Sequence, residues 1–393
     1  MSKDYKELKD ELRSELDNIL TYWSTFGIDD QYGGFVGQRD FYNQLVPKAS
    51  KGIILNTRIL WSFSAASNYL KSKKHESICN RAYTYLKTYF KDKGHKGVFW
   101  EVDHNGNPLN TRKQVYAQAF AIYALSEYYL FSQKEEAKDW AVSLFENLET
   151  YARDRHNLGY YEAFYEDWTP IPDMRLSDKD MNAAKTMNTH LHVLEAYTSL
   201  LKVYDHQKLR DALRELIVLF QFKFLNKSNH YDLFFDKEWS LLSTTISFGH
   251  DIETAWLVIE AAKALNDESL VQQTQETAIK VIDTFLLEAL DHDGAVMNER
   301  DTASNHLDTD RHWWPQVEAL IGLKYGHSLT QNPDYIEKSI GIWEFTKQFL
   351  IDKAHGEWHF RVDSEGRPYK EEDKVSMWKA PYHTTRACIL MSQ

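Results

Sequence analysis

The stretch KGVFWEVDHNGNP, residues 96–108, decides how this chain is read, because it does not occur only once. It opens on a glycine, alternates apolar and polar side chains through Trp100, Glu101, Val102 and Asp103, and closes on the turn-forming run Asn105-Gly106-Asn107-Pro108. Such period-two alternation between turn residues reads as a short strand or hairpin. Versions return as GGFVGQRDFYN (33–43), LGYYEAFYEDWTPI (158–171), NHYDLFFDKEWSLL (229–242), DGAVMNERD (293–301) and GEWHFRVDSEGRP (356–368). With Gly34, Gly97, Gly159, His230, Gly294 and Gly356 as markers, the steps are 63, 62, 71, 64 and 62 residues. A sixfold repeat organises the chain.

Between the hairpins lie pairs of stretches with apolar residues at i, i+3, i+4 and i+7, the spacing of one helix face. They predict helices near residues 4–26, 49–71, 75–93, 112–132, 134–153 and 182–204, and near 206–226, 249–266, 268–291, 310–330, 333–353 and 379–391. No Pro/Gly/Ser-rich linker interrupts the units, so one domain is expected over residues 1–393. An open stack of repeats needs polar caps at its ends, whereas the first and last units here resemble the others. The expected fold is therefore all-α: a closed (α/α)6 barrel of twelve helices with short β-hairpins on one rim.

Composition narrows the function. An apolar fraction of 43% and an aromatic fraction of 14% supply a large core, and 12 Trp with 23 Tyr offer flat faces of the kind sugar rings stack on. A formal charge of −12 argues against nucleic acid or anionic lipid as a partner, since both reward clustered Lys and Arg. Cys79 and Cys388 form no ligand or CxxC pattern and read as free thiols of a reducing compartment. The opening MSKDYKELKDELRSEL lacks the apolar segment of a signal peptide, and no membrane-spanning run follows, so a cytoplasmic monomer is expected.

If hairpins and inner-helix N-termini share one rim, residues early in the helix after each hairpin converge on one pocket. Those positions carry Arg58 in NTRILW, Tyr116 in KQVYAQAF, and Asn188 with His192 in TMNTHLHVLEAY. They also carry His250 with Glu253 in FGHDIETAW, Trp313 and Trp314 in RHWWPQVEA, and His383 with Arg386 in WKAPYHTTRA. Singly each has a structural alternative: Arg58 a surface ion pair, Tyr116 a core phenol, Asn188 a helix cap. Their recurrence at one phase of the repeat favours a site. His250 and Glu253 are three apart and share a helix face, so the carboxylate is expected to hold one imidazole nitrogen. His190 points away from His192 and reads as packing. Pro381 suits a first helical turn, which puts Trp378 in the loop before it and His383 where the helix dipole favours a neutral imidazole. No HExxH, GxGxxG or Walker pattern is present, and Arg58 and Arg386 would add positive charge beside a metal, so no cofactor is expected.

At these residues the chain resembles the N-acylglucosamine 2-epimerase superfamily, and within it a branch acting on disaccharides. The matching stretches run almost end to end: KGIILNTRILWSFSAA, AFAIYALSEYY, AKTMNTHLHVLEAYT, FGHDIETAWL, MNERD, RHWWPQVEA and WKAPYHTTR. The resemblance implies cofactor-free inversion at C2 of a reducing-end aldose, glucose and mannose configurations interconverting. It implies acid/base roles for His250 and His383, with His192 in support and Glu253 as its partner carboxylate. It further implies substrate-oxygen contacts from Arg58, Tyr116 and Asn188, ring stacking on Trp313 and Trp378, and second-sugar contacts from Glu299 and Asp180. The partner is then a mono- or disaccharide substrate such as cellobiose, lactose or mannobiose. Epimerisation of free mannose or glucose, aldose–ketose isomerisation, and glycoside hydrolysis are the alternatives. Hydrolysis needs a flanking carboxylate pair, and Glu253 is the one acid at a clear helix-face position.

Overall fold

The computed structural model describes residues 3–393. Its helices are α1 (Lys3–Phe26), α2 (Ile53–Leu70), α3 (Glu76–Tyr85), α4 (Val115–Ser132), α5 (Glu135–Asn147) and α6 (Met187–Leu201). They continue as α7 (Gln207–Leu219), α8 (Phe248–Ala264), α9 (Glu268–Glu288), α10 (Trp313–Thr330), α11 (Asp334–Phe345) and α12 (Tyr382–Ser392). The even-numbered helices form a closed inner ring, each touching the next and α12 returning to α2. Each odd-numbered helix packs outside, against the inner helix that precedes it, and α1 covers α12. This is the (α/α)6 barrel that the repeat predicts.

The two rings differ because their sequences do. In α4, VYAQAFAIYALSEYYLFS is buried almost throughout, as an element surrounded by other helices must be. In α7, QKLRDALRELIVL buries one stripe, Leu209, Ala212, Leu213, Leu216 and Ile217, and leaves charge outside. Four outer helices (α3, α5, α7 and α11) end in a π-helical turn, which brings the chain to the hairpin.

Five inner helices begin three to five residues later than the apolar periodicity predicts. The reason is a rung of backbone pairing ahead of them: Lys51–Gly52, Lys113–Gln114, Lys185–Thr186 and Arg311–His312 each pair with a strand of the neighbouring hairpin. The cations on these rungs lie on buried carboxylates, Lys113 on Asp92 at 2.5 Å and Lys185 on Asp154 at 2.8 Å. Ahead of α12 the same role of spacer falls to the loop ending at Pro381, which caps that helix. Among the described residues no helix is long and apolar enough to cross a membrane.

Candidate active site

The rungs set all inner helices in one phase, and that phase builds the site. The second residue of an inner helix is Tyr116 in α4, Asn188 in α6, Trp314 in α10 and His383 in α12. The sixth, one turn deeper on the same face, is Arg58 in α2, His192 in α6, Glu253 in α8 and Glu318 in α10. A cavity of about 180 Å³ opens between these helices at the hairpin rim. Arg58, Tyr116, Asn188, His192, His250 and Glu253 line it, with Trp313, Trp314, Phe360, Trp378 and His383. Ten of the residues singled out in the sequence are thereby brought together.

Trp314 stands between the two histidines, its ring 4.9 Å from His250 and 5.5 Å from His383. The glycine of FGHDIE makes this possible, since a Cβ on Gly249 would lie 2.4 Å from the Trp314 ring. His383 Nδ1 is 2.7 Å from Glu318 Oε1, and His250 Nδ1 is 2.8 Å from Ser247 Oγ. Neither Nε2 has a hydrogen-bond partner among the described residues. Burial lowers His250 to about 4, outweighing the attraction of Glu253. Burial also pushes His383 well below the ordinary imidazole range, helped by the positive charges of Arg58 and Arg386. Both rings are neutral at neutral pH, and for His383 burial is the largest cause.

Arg58 is the buried cation of the wall opposite. It donates to the Tyr116 hydroxyl at 2.9 Å and to the Trp378 carbonyl at 3.1 Å, and stacks over Phe120. It pairs with no carboxylate among the described residues, so the alternative of a surface ion pair is not what the structure forms. Burial raises the Tyr116 phenol to about 12, against the pull of Arg58.

Below the cavity a second cation gathers the acids. Arg386 donates to Glu253 at 2.5 Å, to Glu318 at 2.6 Å, and to Glu195 and the Tyr382 hydroxyl. Two expectations are corrected here. Glu253 does not hold His250, whose Nδ1 goes to Ser247; it is drawn to Arg386 and ends 4.0 Å from His383 Nδ1. Nor is it the partner of His192, whose Nδ1 meets Glu195 at 3.0 Å. Burial opposes the charge on Glu195, but Arg386 and His192 bring it down to about 2. Burial, with the like charge of Glu253, raises Glu318 to about 8. Glu253 is thus one of three buried acids. Glu195, Glu318, Ser247 and Tyr382 escaped the sequence reading, although Glu318 shares the sixth-residue phase and Glu195 lies three beyond His192. Glu253, Glu318 and His383 have the spacing of metal donors, yet the Arg386 guanidinium already fills that carboxylate set.

The outer residues divide. Trp313 packs on Phe360 at 4.7 Å and Trp378 on Tyr116 at 6.0 Å. Asp180 lines a side pocket of about 80 Å³ that shares Asn188 and His250 with the main cavity, and it accepts from Ser177. Glu299 does not line the cavity; it sits on the strand Glu299–Asp301, paired with Ser247. Asn188 is not a cap, a role Thr186 fills by accepting from the Thr189 amide. His190 is wholly buried, between the Thr186 carbonyl and the Tyr160 amide.

Residues 33–387 match the family model of the N-acylglucosamine 2-epimerases. The chain belongs to that family, and with it to the carbohydrate epimerases, which are isomerases. It is 42% identical over 384 residues to the cellobiose 2-epimerase of Bacteroides fragilis, covering 97% of this chain and 98% of that one. The cellobiose 2-epimerase of Dictyoglomus turgidum is 36% identical, with 98% of each chain covered. The solved cellobiose 2-epimerase of Bacillus thermoamylovorans superposes with a TM-score of 0.94 at 35% identity, over 98% of this chain and 99% of that one.

Proposed function

We propose that the enzyme inverts C2 of the reducing-end aldose in β-1,4-linked disaccharides such as cellobiose, lactose and mannobiose. The observation that carries this reading is the pairing, around one small cavity, of two neutral histidines with an arginine that has no counter-ion. A buried charge without a partner is costly, and a ligand that develops negative charge beside it supplies what the fold withholds.

Ring opening makes C1 an aldehyde and the C2 proton acidic. One histidine takes that proton at Nε2. The resulting enediolate places charge on the C1 and C2 oxygens, where Arg58 and the Tyr116 hydroxyl offer preorganised donors. The second histidine, neutral but carrying its one proton at Nε2, gives that proton to the opposite face. Glu318 balances the proton inventory on its side: with its carboxyl raised to about 8 it holds its proton at neutral pH, passes it to His383 Nδ1 as that ring gives up its Nε2 proton, and takes it back in the reverse direction. His250 has only the Ser247 hydroxyl behind it and becomes imidazolium near Glu253. Trp313 and Trp378 offer faces to the sugar rings, and Asp180 in the side pocket and Glu299 on the strand paired with Ser247 would meet the second sugar.

Turnover in D2O tests the chemistry. Epimerised cellobiose should carry deuterium at C2; unlabelled product would sink the enediolate, and a ketose product would indicate return to C1. Release of glucose would mark a hydrolase, which the engagement of all three glutamates by Arg386 argues against. Because Asp180 and Glu299 stand outside the main cavity, epimerisation of free mannose or glucose is the second reading. Higher kcat/KM for mannose than for cellobiose would select it.

A further inference from the structure

Five of the six hairpins are latched to the inner helix that follows by a buried cation on a carboxylate. The pairs are Lys51–Asp29, Lys113–Asp92, Lys185–Asp154, Arg311–Asp291 and, ahead of α12, Lys374–Asp352. The hairpin before α8 has neither half. Asn226 stands at the aspartate position, and Ile246 stands two residues ahead of α8, where the other rungs carry Lys or Arg.

A different tie replaces the latch. The fourth residue of an inner helix hooks the hairpin backbone just past the marker glycine: Gln118 accepts from the Val98 amide at 2.8 Å, and His190 from the Tyr160 amide at 2.9 Å. In α8 that residue is Asp251, which accepts from the Tyr231 amide at 2.8 Å and meets His230 Nδ1 at 2.7 Å. His230 occupies the marker position itself. Beside the hooks of α4 and α6 no side chain fits there, since a Cβ on Gly97 would lie 2.9 Å from Gln118 Oε1 and one on Gly159 2.6 Å from His190 Nε2. The shorter aspartate makes room, so the three departures belong together. Around the pair stand Asp232 on the same hairpin, Glu288 of α9 at 3.6 Å from His230 Nε2, and Arg300 on the strand beside Ser247.

We propose that protonated His230 is a positioning residue that clamps Asp251 and thereby sets the first turn of α8, and His250 next to it, against the cavity. The inference rests on the acid/base reading of His250. Burial opposes the imidazolium at His230, but Asp251 and then Glu288 outweigh it, so the ring holds its proton above the ordinary histidine range. The clamp is complete where Asp251, whose carboxyl burial pushes up, is ionised and His230 still holds its proton, and it is released as pH rises through the elevated histidine value.

The test compares kcat, KM and Tm for cellobiose epimerisation across pH in the native enzyme and in His230→Gln, which keeps a donor but cannot titrate. His230→Gln should lose about 2–10-fold in kcat at neutral pH, the worth of one hydrogen bond, with KM unchanged. The native enzyme should show an alkaline fall in kcat, and His230→Gln should lose it. Native kcat with the same alkaline limb overturns the proposal, as does a drop in Tm alone. If His230→Gln does not fold, Asp251→Asn answers the same question, and H230G/D251Q, which rebuilds the hook of α4, controls for folding. Full activity in His250→Asn would instead defeat the underlying reading. An inactive His250→Asn beside a native-like His230→Gln defeats the positioning role alone.

Discussion

His250 and His383 face one cavity from mountings of opposite kinds. His383 rests on Glu318, and through Arg386 on Glu253, Glu195 and Tyr382, a charged network deep in the barrel. His250 rests on one hydroxyl at the start of its helix. The difference teaches that equal proximity to a substrate need not mean equal cost of disturbance: one ring is set by core electrostatics, the other by the rim.

The strongest test treats the two rings as equals. His250→Asn and His383→Asn should each reduce epimerisation by about 10²–10⁴-fold, the usual range for an acid/base group; near-native turnover in either removes it from the reaction. Next, Arg386→Met should reveal the inequality. It strands three buried carboxylates, and loss of one partner of a buried ion pair costs about 3–5 kcal/mol, readable by denaturant unfolding. One cooperative transition is expected in the parent protein, and two separated ones would contradict a single closed domain.

Smaller changes sharpen the contrast between the mountings. Glu318→Gln removes a charge-assisted bond and should cost about 10–100-fold in kcat, whereas Ser247→Ala should cost about 2–10-fold. An equal loss in the two variants would erase the distinction drawn here. The mildest effect concerns acid. The unfolded chain protonates a histidine near 6.5, but folded His250 resists until about 4. Its contribution to stability is therefore complete above 6.5 and declines as pH falls towards 4. His250→Asn should flatten that part of the unfolding profile.

The fold was legible because each hairpin advertises itself, with Gly97 and Gly356 at left-handed φ where a turn requires it. Helix starts were less so, since Lys51, Lys113 and Lys185 continue an apolar rhythm in sequence while their backbones pair as strands. The residues gathered at the cavity could be found from their shared phase. The i, i+3 spacing does not by itself choose their partners: it fits Glu195 to His192 and Ser247 to His250, yet it wrongly placed Glu253 beside His250. Arg386 on α12 redirects that carboxylate across the barrel, a preference no local pattern on α8 contains. Glu318 went unnoticed for the complementary reason: its partner His383 lies 65 residues away.

The helix that closes the inner ring, α12, also carries His383 and Arg386. During synthesis eleven helices therefore emerge before the gap between α10 and α2 can be filled. A nascent or truncated chain lacking α12 has an open seam, no His383, and three glutamates without their common cation. On the proposed mechanism, turnover of substrate is consequently a direct report of ring closure.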